Sequence, residues 1–149
     1  MSYIPEKNKP IEAISPQAGA GITGTYVSLS NSGKCYVLVH INQASAEPVE
    51  ITIEQATDIE GAGSKALTNV VPIWADQDCA ASDSLVRQTD AVAYSTSATL
   101  AHKLVVFQIN PAQLDVTNGF DCITVKTAAS DPTNITAAQY IHSDLRFGG

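Results

Sequence analysis

The chain has 149 residues, a formal net charge of −7 and a pI near 4.7; 44% of its residues are hydrophobic and 15% are charged. This length is typical of one domain that buries enough surface to fold without a disulfide or a bound metal. An acidic surface repels phosphate groups, so we expect no nucleic-acid partner. No stretch approaches the ~20 apolar residues of a membrane helix, and the N-terminus lacks a signal-peptide core, so we expect synthesis in a cytoplasm and no membrane contact.

The composition indicates an all-β protein. Threonine, serine, valine, isoleucine and alanine dominate the chain, which has a single methionine and few leucine-rich runs. Branching at Cβ suits a pleated sheet and restricts rotamers in a helix. We therefore predict strands and no long helix.

Residues 1–21 are predicted to form an extended N-terminal arm without a place in a sheet, followed by a β-sandwich domain over residues 22–149. Three prolines interrupt the first segment, and proline lacks the backbone donor that a sheet ladder requires. A disordered tail is the alternative, but this segment is more apolar than a solvated tail usually is. The predicted interface contacts of the arm are its apolar side chains: Tyr3, Ile4, Ile11 and Ile14.

Residues 34–43 and 49–56 carry the strongest strand patterns, and we expect the rest of the chain to be organised around them. Val49, Ile51 and Ile53 alternate with polar residues, which indicates one buried and one wet face. In residues 34–43 both alternating sets begin apolar, so this strand is expected to be central and covered on both faces over much of its length. We interpret the two as adjacent strands that need a second layer to pack on.

Further strand patterns recur at short intervals, separated by turn residues. Asn31–Gly33 is predicted to close a hairpin, and Asn110 with Pro111 to begin one helical turn. The other predicted strands cover residues 22–30, 65–74, 85–94, 102–109, 120–127 and 135–147. About eight short strands with such spacing predict a single-domain antiparallel β-sandwich, of jelly-roll-like topology.

No residue pattern indicates catalysis, a cofactor or a metal site. The three histidines lack the paired spacing of a zinc site, so we interpret them as structural: His40, His102 and His142. Asp76 and Asp78 begin like a calcium-binding loop, but the required glycine is missing and Arg87 stands where a bidentate glutamate is needed. We interpret residues 76–83 as a solvated loop, and we predict that the protein is not an enzyme.

The cysteines and the aromatic residues leave alternatives open. Cys35 and Cys122 lie in apolar strand patterns and are interpreted as core residues, although a disulfide remains possible. Trp74 and Tyr94 are candidate surface or interface aromatics, and with Tyr36 they could stack on sugar rings. The alternative is that Trp74 anchors the core or an interface.

Four stretches of the sequence carry a resemblance to a known group of proteins: GTYVSLSNSGKCYVLVHINQA, VEITIEQATDIEGAGSKALT with Trp74 after it, LVVFQINPAQLD, and NGFDCITVKTAASDPTNITAAQYI. Together they resemble small structural proteins of tailed-phage heads, in particular the decoration (or cement) proteins of capsids. The resemblance covers about residues 22–147 and rests on overall pattern, without a signature motif. It implies a jelly-roll-like sandwich and an ordered arm that reaches a neighbouring subunit.

This resemblance implies a non-enzymatic virion protein that binds the outer capsid surface where capsomers meet and stabilises the shell. The expected partners are the major capsid protein and other copies of the chain, as a homo-dimer or homo-trimer. Many copies on a symmetric shell give avidity, so each interface can be modest. Two alternatives remain: a carbohydrate- or receptor-binding module of the virion, and a head–tail or tail-tube subunit.

Overall fold

The computed structural model describes residues 3–145, which form one short helix, α1 (Ile4–Lys7), and two packed antiparallel β-sheets. The strands, in chain order, are β1 (Lys9–Ala18), β2 (Ala20–Thr23), β3 (Val27–Ser28), β4 (Ser32–Gln43), β5 (Glu50–Ala56), β6 (Lys65–Ala66), β7 (Ile73–Asp76), β8 (Val86–Arg87), β9 (Ala93–Ser95), β10 (Ala101–Ile109), β11 (Cys122–Ala129) and β12 (Ile135–Leu145). Two 3₁₀ turns, Pro111–Gln113 and Val116–Asn118, lie between β10 and β11.

The two sheets differ in how continuous their strands are. Sheet A has the order β1-β12-β4-β10-β7-β8, and its centre is formed by three strands of nine residues or more. Sheet B has the order β2-β11-β5-β6, with β3 also pairing with β11 and β9 with β5. The short strands β2 and β3 thus share one edge of sheet B, and β6 and β9 share the other.

The core lies between the sheets because one alternating set of side chains on each long strand points inward. On β4 that set is fully shielded from solvent, as is Phe107 on β10. Tyr140 crosses the interface from sheet A: its hydroxyl donates to the Thr25 carbonyl oxygen at 2.7 Å and accepts from the Val125 amide at 3.0 Å. The hydrophobic layer and this hydrogen-bonded link together hold the two sheets face to face.

The predicted fold class is confirmed: the chain is a single-domain antiparallel β-sandwich. Eight of its described strands have four residues or more, and the shorter ones extend the sheet edges. The predicted turn at Asn110 is present, with the Asn110 side chain accepting from the Ala112 amide at 3.0 Å. A second turn ends at Gly119, which has a φ of 83° that suits glycine. Of the predicted last strand, residues 146 and 147 lie outside the described residues.

The predicted separation of an arm over residues 1–21 from a sandwich beginning at residue 22 differs from the structure. Residues 9–18 form β1, which pairs with β12 at the edge of sheet A. Ile14 is 3% exposed and belongs to the core. The prolines are tolerated because an edge strand has one side without ladder partners, and the register shifts on both sides of Ile14 mark the irregularity.

The predicted adjacency of the two organising strands is wrong. The strand β4 lies at the centre of sheet A and β5 lies in sheet B, so residues 44–49 carry the chain from one sheet to the other. The turn before β4 likewise joins the sheets: β3 pairs with β11 in sheet B, so no hairpin forms at Asn31–Gly33. Alternation identifies a buried face, but it does not say which sheet a strand joins.

Candidate functional site

The outer face of sheet A carries partly buried apolar side chains at its centre. On β4 and β10 the residues that point away from the core are paired across the strands, with Leu38 opposite Val106 and Tyr36 opposite Gln108. The next strand, β12, contributes Ala137 and Ile141 to the same face. The expected cover on both faces of β4 is therefore incomplete, because its outward residues are partly buried near Leu38 and exposed at His40.

A groove of about 470 Å³ lies on this face, beside β1. Leu38, Leu104 and Ala137 line it from three neighbouring strands. Pro10 and Pro16 line it from β1. The register shifts in β1 locally interrupt its pairing with β12, and such irregularities bend a strand. This volume lies within the range of roughly 300–1,000 Å³ typical of small-molecule sites.

Three polar side chains in the groove are free to meet a ligand. Glu12, His40 and Gln139 line the groove and are exposed. Within residues 3–145 these three side chains form no hydrogen bond or ion pair, whereas many polar side chains elsewhere in the fold do. Small-molecule binding sites typically combine a mostly apolar lining with a few polar groups that can pair with the ligand.

The two candidate aromatics lie on different sheets. Trp74 on β7 points outward from sheet A, and the Arg87 guanidinium carbon lies 5.0 Å from the centre of its ring. This cation–π contact covers one face of the indole, while Arg87 also pairs with Asp90. Tyr94 lies on β9 in sheet B, packs against the core, and accepts a hydrogen bond from the Gln77 amide. The structure therefore places only Tyr36 with Trp74 on one face, and Tyr94 is apart from them.

The four predicted arm contacts divide into two pairs. Tyr3 and Ile4 are 64% and 71% exposed, at the start of α1. The segment is ordered locally, because the Tyr3 amide donates to a Glu6 carboxylate oxygen at 3.0 Å and the Glu6 amide donates to the Tyr3 carbonyl at 3.0 Å. In contrast, Ile11 packs against the core and Ile14 is buried within it. These two residues support the fold, so their assignment as docking contacts is corrected.

A polar cluster around Lys103 is a feature that sequence reasoning missed. Lys103 is fully shielded from solvent, and its ammonium donates to the Ser97 carbonyl at 2.8 Å and to the Ser97 hydroxyl at 3.0 Å. The same carbonyl accepts from the Gln43 amide at 2.7 Å. Burial lowers the pKa of Lys103, and the nearby charge of Asp78 partly offsets this effect. From the sequence, a lysine in a strand is expected to face solvent. Only the structure shows that Lys103 is buried and that Ser97 supplies its hydrogen-bond partners.

Two of the three cysteines, Cys35 and Cys122, are buried, and Cys79 is half-buried. Cys35, Cys79 and Cys122 are free cysteines, so the structure contains no disulfide between them. Burial raises the pKa values of Cys35 and Cys122 to about 12, so both thiols stay protonated near neutral pH. The neutral thiol is a poor nucleophile, which agrees with their interpretation as core residues. Among residues 3–145 no group of three or more His, Cys, Asp or Glu side chains is arranged to hold a metal ion.

In the described part of the chain no helix is long and apolar enough to cross a membrane.

Neither a protein-family model nor a curated protein sequence matches the chain. Solved structures do. The crystal structure of the SPBc2 prophage-derived protein YomS is similar with a TM-score of 0.53 at 12% identity, covering 96% of this chain and 99% of that one.

Two carbohydrate-binding modules are similar at lower scores. A module specific for non-crystalline cellulose has a TM-score of 0.36 at 10% identity, over 94% of this chain and 73% of that one. The family 11 module of a Clostridium thermocellum cellulase has a TM-score of 0.37 at 11% identity, over 91% and 82%. The likeness to YomS shows a shared fold that extends over nearly the whole of both chains.

Proposed function

We propose that this protein is a non-enzymatic structural component of a phage particle that binds the outer capsid surface at capsomer junctions and stabilises the shell. The observation that carries the proposal is the end-to-end likeness to the prophage-derived YomS, with 96% of this chain and 99% of that one aligned. Two surfaces of the chain suit such a role: the exposed Tyr3 and Ile4, and the apolar outer face of sheet A.

The binding step would use burial of apolar surface that the isolated chain leaves in water. Tyr3 and Ile4 lie outside the core cluster, so their contact with the major capsid protein would remove apolar area from solvent without disturbing the fold. Several copies on one symmetric shell, or a homo-dimer or homo-trimer of the chain, would multiply a modest interface through avidity.

The test is binding to phage particles that were assembled from a genome from which the gene for this chain has been deleted. Added protein should co-sediment with the particles, and electron microscopy should show extra density on the outer surface of the shell. Tyr3→Ser with Ile4→Ser should weaken co-sedimentation and leave the thermal transition nearly unchanged. The matched control is Ile59→Ser, since Ile59 is 61% exposed but lies in the loop after β5.

This choice of variants follows from the structure of the N-terminal segment. A deletion of residues 1–21 would remove β1 and the core residue Ile14, so lost binding could reflect unfolding. Protein that stays in the supernatant would overturn the proposal. Density at the neck or tail in place of the shell would favour a head–tail or tail-tube subunit instead.

A second candidate function is the binding of a neutral oligosaccharide in the groove on sheet A. The observation that favours it is the groove itself, where apolar strand residues meet the unpaired side chains of Glu12, His40 and Gln139. Titration with soluble hexasaccharides of glucose or xylose would test it. Binding that is lost in Gln139→Ala and retained in Glu50→Gln, on the opposite sheet, would support this function; no binding of any sugar would remove it.

A further inference from the structure

Two histidines lie side by side on the central strands of sheet A. In the pairing of β4 with β10, His40 is opposite Leu104 and His102 is opposite Asn42, so the two histidines are diagonal neighbours. Both point away from the core and are exposed. Their ring centroids are 6.0 Å apart, with a tilt of 45° between the ring planes.

Neither imidazole has a hydrogen-bond partner in the described residues. His142, in contrast, is buried, and its Nδ1 lies 3.1 Å from the Ser32 hydroxyl. A structural histidine typically satisfies at least one ring nitrogen in this way. The nitrogens of His40 and His102 are therefore available to an external ligand, and neutral imidazole is the commonest protein ligand of transition metals.

We propose that His40 and His102 together bind one divalent transition-metal ion of the zinc and copper class. Zinc–nitrogen bonds of about 2.0–2.1 Å would place two imidazole centroids on one tetrahedral ion roughly 5 Å apart. The observed separation of 6.0 Å is wider by about 1 Å, a gap that small side-chain rotations of exposed rings can close.

The surroundings of the two histidines favour a cation and leave some of its coordination positions unfilled by the protein. The chain carries a net charge of −7, which raises the local concentration of cations. Because the described residues supply no third His, Cys, Asp or Glu in a suitable position, the remaining coordination positions would be filled by water or by a donor atom of a bound molecule. His40 also lines the groove, so the ion would lie at its margin. This site does not depend on the proposed function.

Calorimetric titration of the untagged full chain with zinc chloride tests the proposal. One ion should bind per chain, and the affinity should fall roughly tenfold or more in either His40→Gln or His102→Gln. Asn42→Ala is the matched control, because Asn42 is on the same face and directly opposite His102. Its affinity should equal that of the parent chain. Copper should bind more tightly than zinc, following the usual order of divalent ions.

Imidazole proton signals in NMR spectra give a second readout that does not depend on folding of the variants. Zinc should shift the ring signals of His40 and His102 and leave that of His142 in place. The proposal is overturned if the parent chain binds zinc no more tightly than a variant that carries both His40→Gln and His102→Gln. It is overturned equally if zinc shifts only one of the two exposed rings.

Discussion

The outer faces of the two sheets present different side chains to solvent. On sheet A the central residues are apolar and partly buried, as at Leu38 and Leu104. On sheet B, Glu54 accepts from the Lys126 ammonium at 2.9 Å and from the Ser64 hydroxyl at 2.9 Å, so polar groups on this face satisfy one another. An exposed apolar surface indicates a partner or ligand, whereas a paired charged surface is stable in water. This difference is the reason why the binding that we propose is placed on sheet A.

The contrast between inner and outer residues of one strand should give the largest effect. Phe107→Ala removes a fully buried ring from the core and should lower the free energy of unfolding by about 3–5 kcal/mol. The neighbouring Val106→Ala, on the outer face, should lower it by about 1 kcal/mol or less. Urea denaturation measures both. Equal losses would mean that the outer face of sheet A is as well packed as the core.

The link between the sheets should give the next largest effect. Tyr140→Phe deletes the hydroxyl that joins Thr25 and Val125 and leaves the buried Val125 amide and the Thr25 carbonyl without this partner, so we expect a loss of roughly 1–3 kcal/mol. Burial raises the pKa of Tyr140 to about 12, so the hydroxyl remains protonated and the loss should not vary between pH 6 and 9. Tyr36→Phe, on the outer face of sheet A, is the control and should change stability by less than about 0.5 kcal/mol.

The apolar character of the sheet A face can be tested without knowing its partner. Leu104→Gln places a polar group in the groove and should lower stability by about 1 kcal/mol or less, since Leu104 is already partly in contact with water. It should also reduce the fluorescence enhancement of an apolar dye such as ANS. The control is Thr52→Gln on the outer face of sheet B. An equal loss of dye binding in both variants would erase the distinction between the faces.

The ion pair on sheet B should give the smallest effect, with a defined pH dependence. Burial tends to raise the pKa of Glu54, but hydrogen bonds from Lys126 and Ser64 and the charge of Lys126 together hold it below the ordinary value. A lowered pKa in the folded state contributes stability above the unfolded pKa of about 4.3, and this contribution is lost as the pH falls through the folded value.

Glu54→Gln should therefore lower the free energy of unfolding by less than about 1 kcal/mol at pH 7, since both partners are partly exposed. The difference between parent and variant should be smaller at pH 3 than at pH 7. Unfolding followed at both pH values checks this. A difference of the same size at both pH values would assign the effect to packing and not to charge.

The long strands β4, β5, β10, β11 and β12 followed from local patterns. The predicted strands over residues 22–30, 65–74 and 85–94 are each divided into two short strands, and the assignment of strands to sheets did not follow from the patterns. Alternation in residues 34–43 and 49–56 predicted two strands with buried faces, and both are present. It also suggested that they were neighbours, which is wrong. Side chains alternate with a period of two whether two strands lie in the same sheet or in different sheets, so alternation cannot identify neighbours. The prolines of residues 9–18 likewise suggested an arm, since proline lacks a donor; an edge position needs fewer donors and accepts them.

The candidate site was even less accessible from the sequence. Tyr36 and Trp74 were recognised as aromatics, but Leu104 and Gln139 became candidates only when β10, β4 and β12 came together. Composition and the period of two were sufficient to predict an all-β sandwich, because they reflect which side of each strand avoids water. Strand neighbours, the groove and the pairing of His40 with His102 depend on contacts between residues far apart in the chain, and no local pattern encodes those distances.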